Sequence, residues 1–167
     1  MKLVRSLGLV IAAIALAAGC GSPTDTGQAA TGTPEQLRFT AKTLDGENFS
    51  GQSLAGKPAV LWFWSPWCPT CQREAPTVAK IAQANTSVTF VGVAAQDQLP
   101  AMKEFVSKYK MDSFTHLADL DASVWRRFGV TTQPAFAFIS ADGSVDVVKG
   151  TLSEQDLAAR VGTLASA

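Results

Sequence analysis

Cysteine and histidine are scarce in this chain: its 167 residues hold three cysteines, Cys20, Cys68 and Cys71, and one histidine, His116. Three sulfurs cannot build a multi-disulfide scaffold, and one imidazole cannot make a histidine-rich metal site. Charge of one sign is also lacking, since fourteen Lys and Arg balance fourteen Asp and Glu, and no basic run follows the first few residues. Nucleic acid is therefore excluded as an expected partner. The longest apolar stretch, Leu7 to Ala18, spans only about 18 Å as a helix against a hydrocarbon core of about 30 Å. It is too short for a lasting transmembrane helix. What is present is 47% apolar residues with 17% charged, the composition of one compact folded domain.

Lys2 and Arg5, the apolar run, and the small residues Ala17-Ala18-Gly19 before Cys20 form a signal-peptide pattern over residues 1–19. Cys20 directly after Ala-Gly resembles the lipobox of bacterial lipoproteins, in which the cysteine is lipidated and becomes the new N-terminus. Leu16 stands one place earlier than that pattern has it, so an ordinary secretion signal with Cys20 unmodified is the alternative. Loss of Lys2 and Arg5 leaves a mildly acidic mature chain. Gly21 to Pro34 carries no large apolar side chain and reads as a flexible tether, with residues 20–36 joining the anchor to a domain over residues 37–167.

Within that domain Leu37, Phe39 and Ala41 alternate with polar residues as in a half-buried strand, and Asp45-Gly46 turns the chain back towards Phe49. Ala59 to Trp64 and most of Val88 to Ala94 are continuously apolar, as in strands covered on both faces. Pro69 to Ala84 between them has helical spacing, which gives a βαβ unit with a parallel strand pair. Leu99 to Tyr109 reads as an amphipathic helix and Asp121 to Phe128 as a short helix ended by Gly129. Ala135 to Ile139 and Val145 to Val148 flank Ala141-Asp142-Gly143 as an antiparallel hairpin, and Ser153 caps a last helix. The fold class is α/β: a mixed central β-sheet with helices on both faces.

Chemistry concentrates in Trp67-Cys68-Pro69-Thr70-Cys71. Cys68 falls after the buried strand at the start of the helix, where unpaired N–H groups and the macrodipole favour negative charge on its sulfur. Cys71 lies one turn further in, more covered, and placed to attack a mixed disulfide formed on Cys68. A zinc half-site would need two further ligands, with only His116 and carboxylates on offer. A c-type haem needs histidine after the second cysteine, and Gln72 is there. A purely structural disulfide would close a four-residue loop and constrain the unfolded chain little.

The run from Phe63 to Cys71, with Pro76 beyond it and Gln133-Pro134 entering a strand, resembles the active-site strand, helix and cis-proline loop of the thioredoxin superfamily. Gly56-Lys57-Pro58-Ala59-Val60 and Glu74 are similar to its extracytoplasmic TlpA and ResA branch, and the lipobox, Pro69-Thr70 and the Ala59–Trp64 strand to the DsbE and DsbF proteins of actinobacteria. The resemblance implies a thioredoxin-like fold, with Cys68 as nucleophile, Cys71 as resolving cysteine and Pro134 beside them. It implies that Gln133 offers its backbone to an extended substrate. Trp67, Pro69 and Thr70 are the other expected substrate contacts, Trp67 as an apolar lip. Trp62 stands where cytoplasmic thioredoxins carry a buried aspartate. Glu74 is then either the acceptor of the Cys71 proton or a solvent-facing helix glutamate. Trp62, Trp64 and Trp125 are expected in the core.

The expectation is a lipid-anchored thiol–disulfide oxidoreductase on the extracytoplasmic face of the cell membrane, or secreted, with no cofactor or metal beyond the Cys68–Cys71 disulfide. Its partners would be exported proteins with free or mispaired cysteines and a membrane redox partner. An oxidase direction is favoured by the actinobacterial resemblance and an oxidising compartment. The alternatives are a reductase for cytochrome c maturation and, in another class, a non-catalytic lipoprotein that binds metal or a partner through an inert cysteine pair.

Overall fold

The computed structural model describes residues 33–166, so the expectations for the signal segment, for Cys20 and for most of the tether lie outside the described residues. Why the cysteines meet where they do follows from the two apolar runs. Ala59–Trp64 forms β3 and Thr89–Ala94 forms β4, paired in parallel from Ala59 with Thr89 to Trp64 with Ala94. The connection is α1, Pro69–Ala84. A parallel pair needs such a crossover, and it returns the chain to the same end of the sheet.

Seven strands make one sheet in the order β2-β1-β5-β4-β3-β6-β7. β1 (Thr40–Thr43) and β2 (Asn48–Ser50) are the antiparallel hairpin turned by Asp45-Gly46, where Gly46 takes φ +88°. β6 (Ala135–Ile139) runs antiparallel to β3, and β7 (Val145–Lys149) antiparallel to β6. The sheet is therefore mixed, parallel at its centre and antiparallel at both sides.

Alternation along β3 sends its side chains to two cores. Val60, Trp62 and Trp64 join the residues of α1, of α2 (Leu99–Lys108) and of α4 (Glu154–Ala165). Leu61 and Phe63 face the other side, with Val124, Trp125 and Phe128 of the α3 region (α3, Ser123–Arg127) and with Leu37 and Leu54 from two short 3₁₀ turns. Ser153 caps α4, its Oγ accepting the Asp156 N–H at 3.1 Å. Trp62, Trp64 and Trp125 are all fully or almost fully buried, as expected.

Three elements differ from the sequence pattern. Leu37 belongs to a 3₁₀ turn, Glu35–Leu37, and the first strand begins only at Thr40. The Asp121–Phe128 helix is shorter, because Asp119 caps it from outside: its two carboxylate oxygens accept the Val124 and Trp125 N–H groups. β5, Thr115–Ala118, was not apparent from the sequence at all; it pairs in parallel with β4 and antiparallel with β1, closing the sheet between them.

Candidate active site

Cys68 is the N-cap of α1, with extended backbone at φ −75°, ψ 111°, and Pro69 follows at the first helical position where its missing N–H costs nothing. The Cys68 Sγ accepts the Cys71 backbone N–H at 3.1 Å. The sulfur thus occupies the place a serine or aspartate oxygen usually takes, at the positive end of a 16-residue helix dipole. The loop leading in is held by two bonds: the Cys68 N–H donates to Ser65 O at 3.2 Å, and Gln72 Nε2 to Pro66 O at 2.9 Å. Both cysteines are unbridged.

Both cysteines are buried, Cys68 with 4% of its surface exposed and Cys71 with none. Burial, above all, pushes the Cys71 thiol up, and the neighbouring Cys68 sulfur and the Glu74 charge add to the effect against an opposing bond from the Ser65 backbone. A thiol so placed gives up its proton only where a base stands nearby.

Glu74, on the same buried side of α1, is one of the groups whose charge acts on that thiol. It is buried, not solvent-facing, with 7% of its surface exposed. Trp62 Nε1 donates to its Oε2 at 2.9 Å, and the Leu152 N–H, from the loop between β7 and α4, donates to its Oε1 at 3.1 Å. Burial raises its pKa above the ordinary 4.5, against the pull of these two donors. The helix period carries the signal for this placement: Cys71, Glu74, Ala75, Val78 and Ala82 share the buried side of α1. The partners of Glu74 carry no such signal, for they come from a strand twelve residues earlier and a loop far along the chain.

Around this pair the remaining sequence candidates fall as follows. Trp67 is 53% exposed, one of two large apolar side chains left open among the described residues. It is pinned rather than loose, since its Nε1 donates to Gln96 O at 2.9 Å, and Gln96 holds φ +63°. Beside it a cleft of about 240 Å³ is lined by Pro66, Trp67, Gln72, Phe105 and Tyr109. Pro69 is exposed and Thr70 half-buried. No cation lies between the cysteines in sequence, yet Arg73 Nη2 reaches the Thr70 Oγ1 at 3.1 Å. The Gln133–Pro134 bond is cis. Pro134 is buried at the start of β6, beside the end of β3, and its carbonyl accepts the Gly150 N–H at 2.9 Å. His116 lies on β5 with the Trp64 ring edge against it, and belongs to the core. Among the described residues no three His, Cys, Asp or Glu side chains gather as metal ligands would.

The Redoxin family model matches residues 25–157. The chain belongs to the Redoxin family. Among the relatives of this redoxin is the soluble secreted antigen MPT53 of Mycobacterium tuberculosis, 49% identical over 140 residues, which are 82% of this chain and 80% of that one. The solved structure of MTB dsbF in its mixed oxidized and reduced forms is 61% identical and superposes with a TM-score of 0.79 over 80% of this chain and 99% of that chain. That of a secreted M. tuberculosis disulfide oxidoreductase homologous to E. coli DsbE is 50% identical, with a TM-score of 0.75 over 78% and 98%. This redoxin has the thioredoxin-like fold and is a thiol–disulfide oxidoreductase of the DsbE, DsbF and ResA type. Chemistry of that class runs through a cysteine pair.

Proposed function

We propose that this redoxin oxidises cysteine pairs of exported proteins, with Cys68 as the sulfur that bonds the substrate and Cys71 as the one that leaves. The observation that carries this assignment is the cap: the Cys68 Sγ takes the Cys71 N–H at the head of α1, and Cys68 is the less completely buried residue of the pair. A substrate thiolate attacks the Cys68 sulfur of the Cys68–Cys71 disulfide. The bond between the two enzyme sulfurs breaks, a mixed disulfide forms on Cys68, and the electron pair passes to Cys71. Burial makes a bare Cys71 thiolate costly, so the protonated Glu74 carboxyl gives it a proton as it leaves. A second substrate thiolate then attacks the substrate sulfur of the mixed disulfide. The substrate departs with its own disulfide and Cys68 departs as thiolate. The two electrons gained must be passed on to a redox partner at the membrane.

Trp67, Pro69 and Thr70 supply the rim on which the substrate chain rests, and the Gln133 backbone the edge beside which it extends. Attachment through a lipid on Cys20 would hold the domain at the extracytoplasmic face, a role supported by the sequence pattern alone. The direction is supported by the resemblance to actinobacterial relatives and by the compartment. Equilibration of the pair with glutathione tests it. Oxidation of a reduced, unfolded protein together with a potential above about −220 mV is expected. A potential well below that value with no such oxidation would assign the reverse reaction, a reductase of the kind that keeps apocytochrome c thiols free.

A further inference from the structure

Four tryptophans occur in the chain, and their indole N–H groups meet different fates. Trp67 Nε1 and Trp125 Nε1 donate to backbone carbonyls, of Gln96 and Val93. The buried Trp64 Nε1 has no partner among the described residues. Trp62 Nε1 alone meets a charged side chain, at 2.9 Å from the Glu74 Oε2. Trp64 stands two residues from Trp62 on the same face of β3, so of this stacked pair Trp62 is the one whose N–H is tied to a carboxylate. Trp62 is itself fully buried, with its ring stacked on Trp64 at 5.7 Å and tilted against Phe105 at 6.3 Å. Such packing fixes where its N–H points.

We infer that Trp62 is a positioning residue of the exchange reaction, its indole N–H holding the Glu74 carboxylate, which shares the buried side of α1 with Cys71, in the form that can take that thiol's proton. The inference rests on the role proposed above for Glu74. The physical reason is a balance between two opposed effects. Burial favours the neutral carboxyl, while a donor on each oxygen, Trp62 on one and the Leu152 N–H on the other, favours the anion. Among the described residues Glu74 makes no salt bridge. β3 and β6 carry no titratable side chain, and α1 carries, besides Glu74, Cys71, Arg73 and Lys80. Arg73 reaches Thr70 and Lys80 pairs with Glu154 of α4; on the neighbouring elements Asp146 pairs with Arg160 and Asp156 with the Ser153 hydroxyl, all exposed, and Lys149 is exposed on β7. The Trp62 N–H is thus one of two groups that favour the anion against burial.

The step it serves can be followed from the reduced enzyme. Cys68 first displaces one thiolate from an aromatic disulfide and becomes a mixed disulfide. Cys71 then gives its proton to the Glu74 carboxylate and attacks the Cys68 sulfur. The Cys68–Cys71 bond forms, the bond to the aromatic sulfur breaks, and a second coloured thiolate leaves with the electron pair. Release of this second thiolate is read by absorbance as a function of pH. In the wild type its rate falls on the acid side as Glu74 is protonated. Trp62→Phe keeps the ring packing and removes the donor, and should move that acid limb up by about one pH unit. Glu74→Gln should abolish the limb, and Trp62→Phe added to Glu74→Gln should change the profile no further.

A Trp62→Phe limb at the wild-type midpoint, with the limb lost in Glu74→Gln, overturns the positioning role and leaves the Glu74 role standing. A limb that persists in Glu74→Gln defeats the Glu74 role itself. An independent reading uses the unaltered protein: the Trp62 indole N–H resonance should titrate with the midpoint of the acid limb. An indole resonance flat across that range overturns the inference whether or not the variant folds.

Discussion

His116 lies directly across from Gly92 in the parallel pairing of β5 with β4, and its ring occupies the space a side chain at position 92 would need. A Cβ there would overlap the His116 Nδ1 outright and come within 2.9 Å of the Trp64 Nε1. Neither is the yielding end of a flexible chain: the Trp64 ring is stacked on Phe105 at 4.3 Å, and His116 packs on Phe114 at 4.4 Å. Gly92→Ala is therefore expected to cost about 1–3 kcal/mol through overpacking. Chemical denaturation checks it, with the midpoint falling and the slope unchanged.

The same histidine makes stability depend on pH. Its Nε2–H donates to Met111 O at 3.0 Å, and burial lowers its pKa from 6.5 to about 4, against the pull of that bond and of Asp112. The unfolded chain therefore takes up a proton below pH 6.5 that the folded chain refuses until about pH 4. The contribution is fully present above pH 6.5 and declines as pH falls through this window, by about 3 kcal/mol in all. His116→Leu loses a hydrogen bond at pH 7 but also this penalty. The wild type should therefore lead the variant at pH 7 and lose ground steadily to pH 4, as measured by denaturation midpoints at several pH values.

Trp67 offers a separation of substrate handling from chemistry. Its ring is exposed next to Cys68 in the chain, and its indole N–H donates to Gln96 O. Trp67→Ala should lower kcat/KM for a reduced, unfolded protein about five- to tenfold, with stability changed by about 1 kcal/mol or less. Exchange with a small disulfide should keep its rate. Equal losses on both substrates would show that Trp67 shapes the cysteines themselves.

How far the sequence could be read varies with the kind of signal. The edges of α1 were legible because Cys68 and Pro69 mark its start chemically, and β3 and β4 because six residues each are apolar throughout or nearly so. β5 was hidden: Thr115-His116-Leu117-Ala118 is four residues long, with one exposed end and a histidine in the middle, and only pairing on both sides makes it a strand. Leu37 and Phe39 alternate like a strand, yet the 3₁₀ turn at Glu35 to Leu37 buries Leu37 before the strand begins. In the site, the cysteines and Trp67 could be placed from spacing alone. That Trp62 and Glu74 meet could not, since the contact depends on how a helix is rotated over the sheet beneath it.

Trapping is the most direct test of the account, which rests on Cys68 being the sulfur that bonds the substrate and on the displaced Cys71 thiol being able to return and reverse that bond. Cys71→Ser should accumulate mixed disulfides with exported proteins, all on Cys68, while Cys68→Ser should trap none; peptide mass spectrometry after non-reducing isolation reads both. Adducts carried by Cys71 in the Cys68→Ser protein, or none on Cys68 in the Cys71→Ser protein, would contradict the assignment.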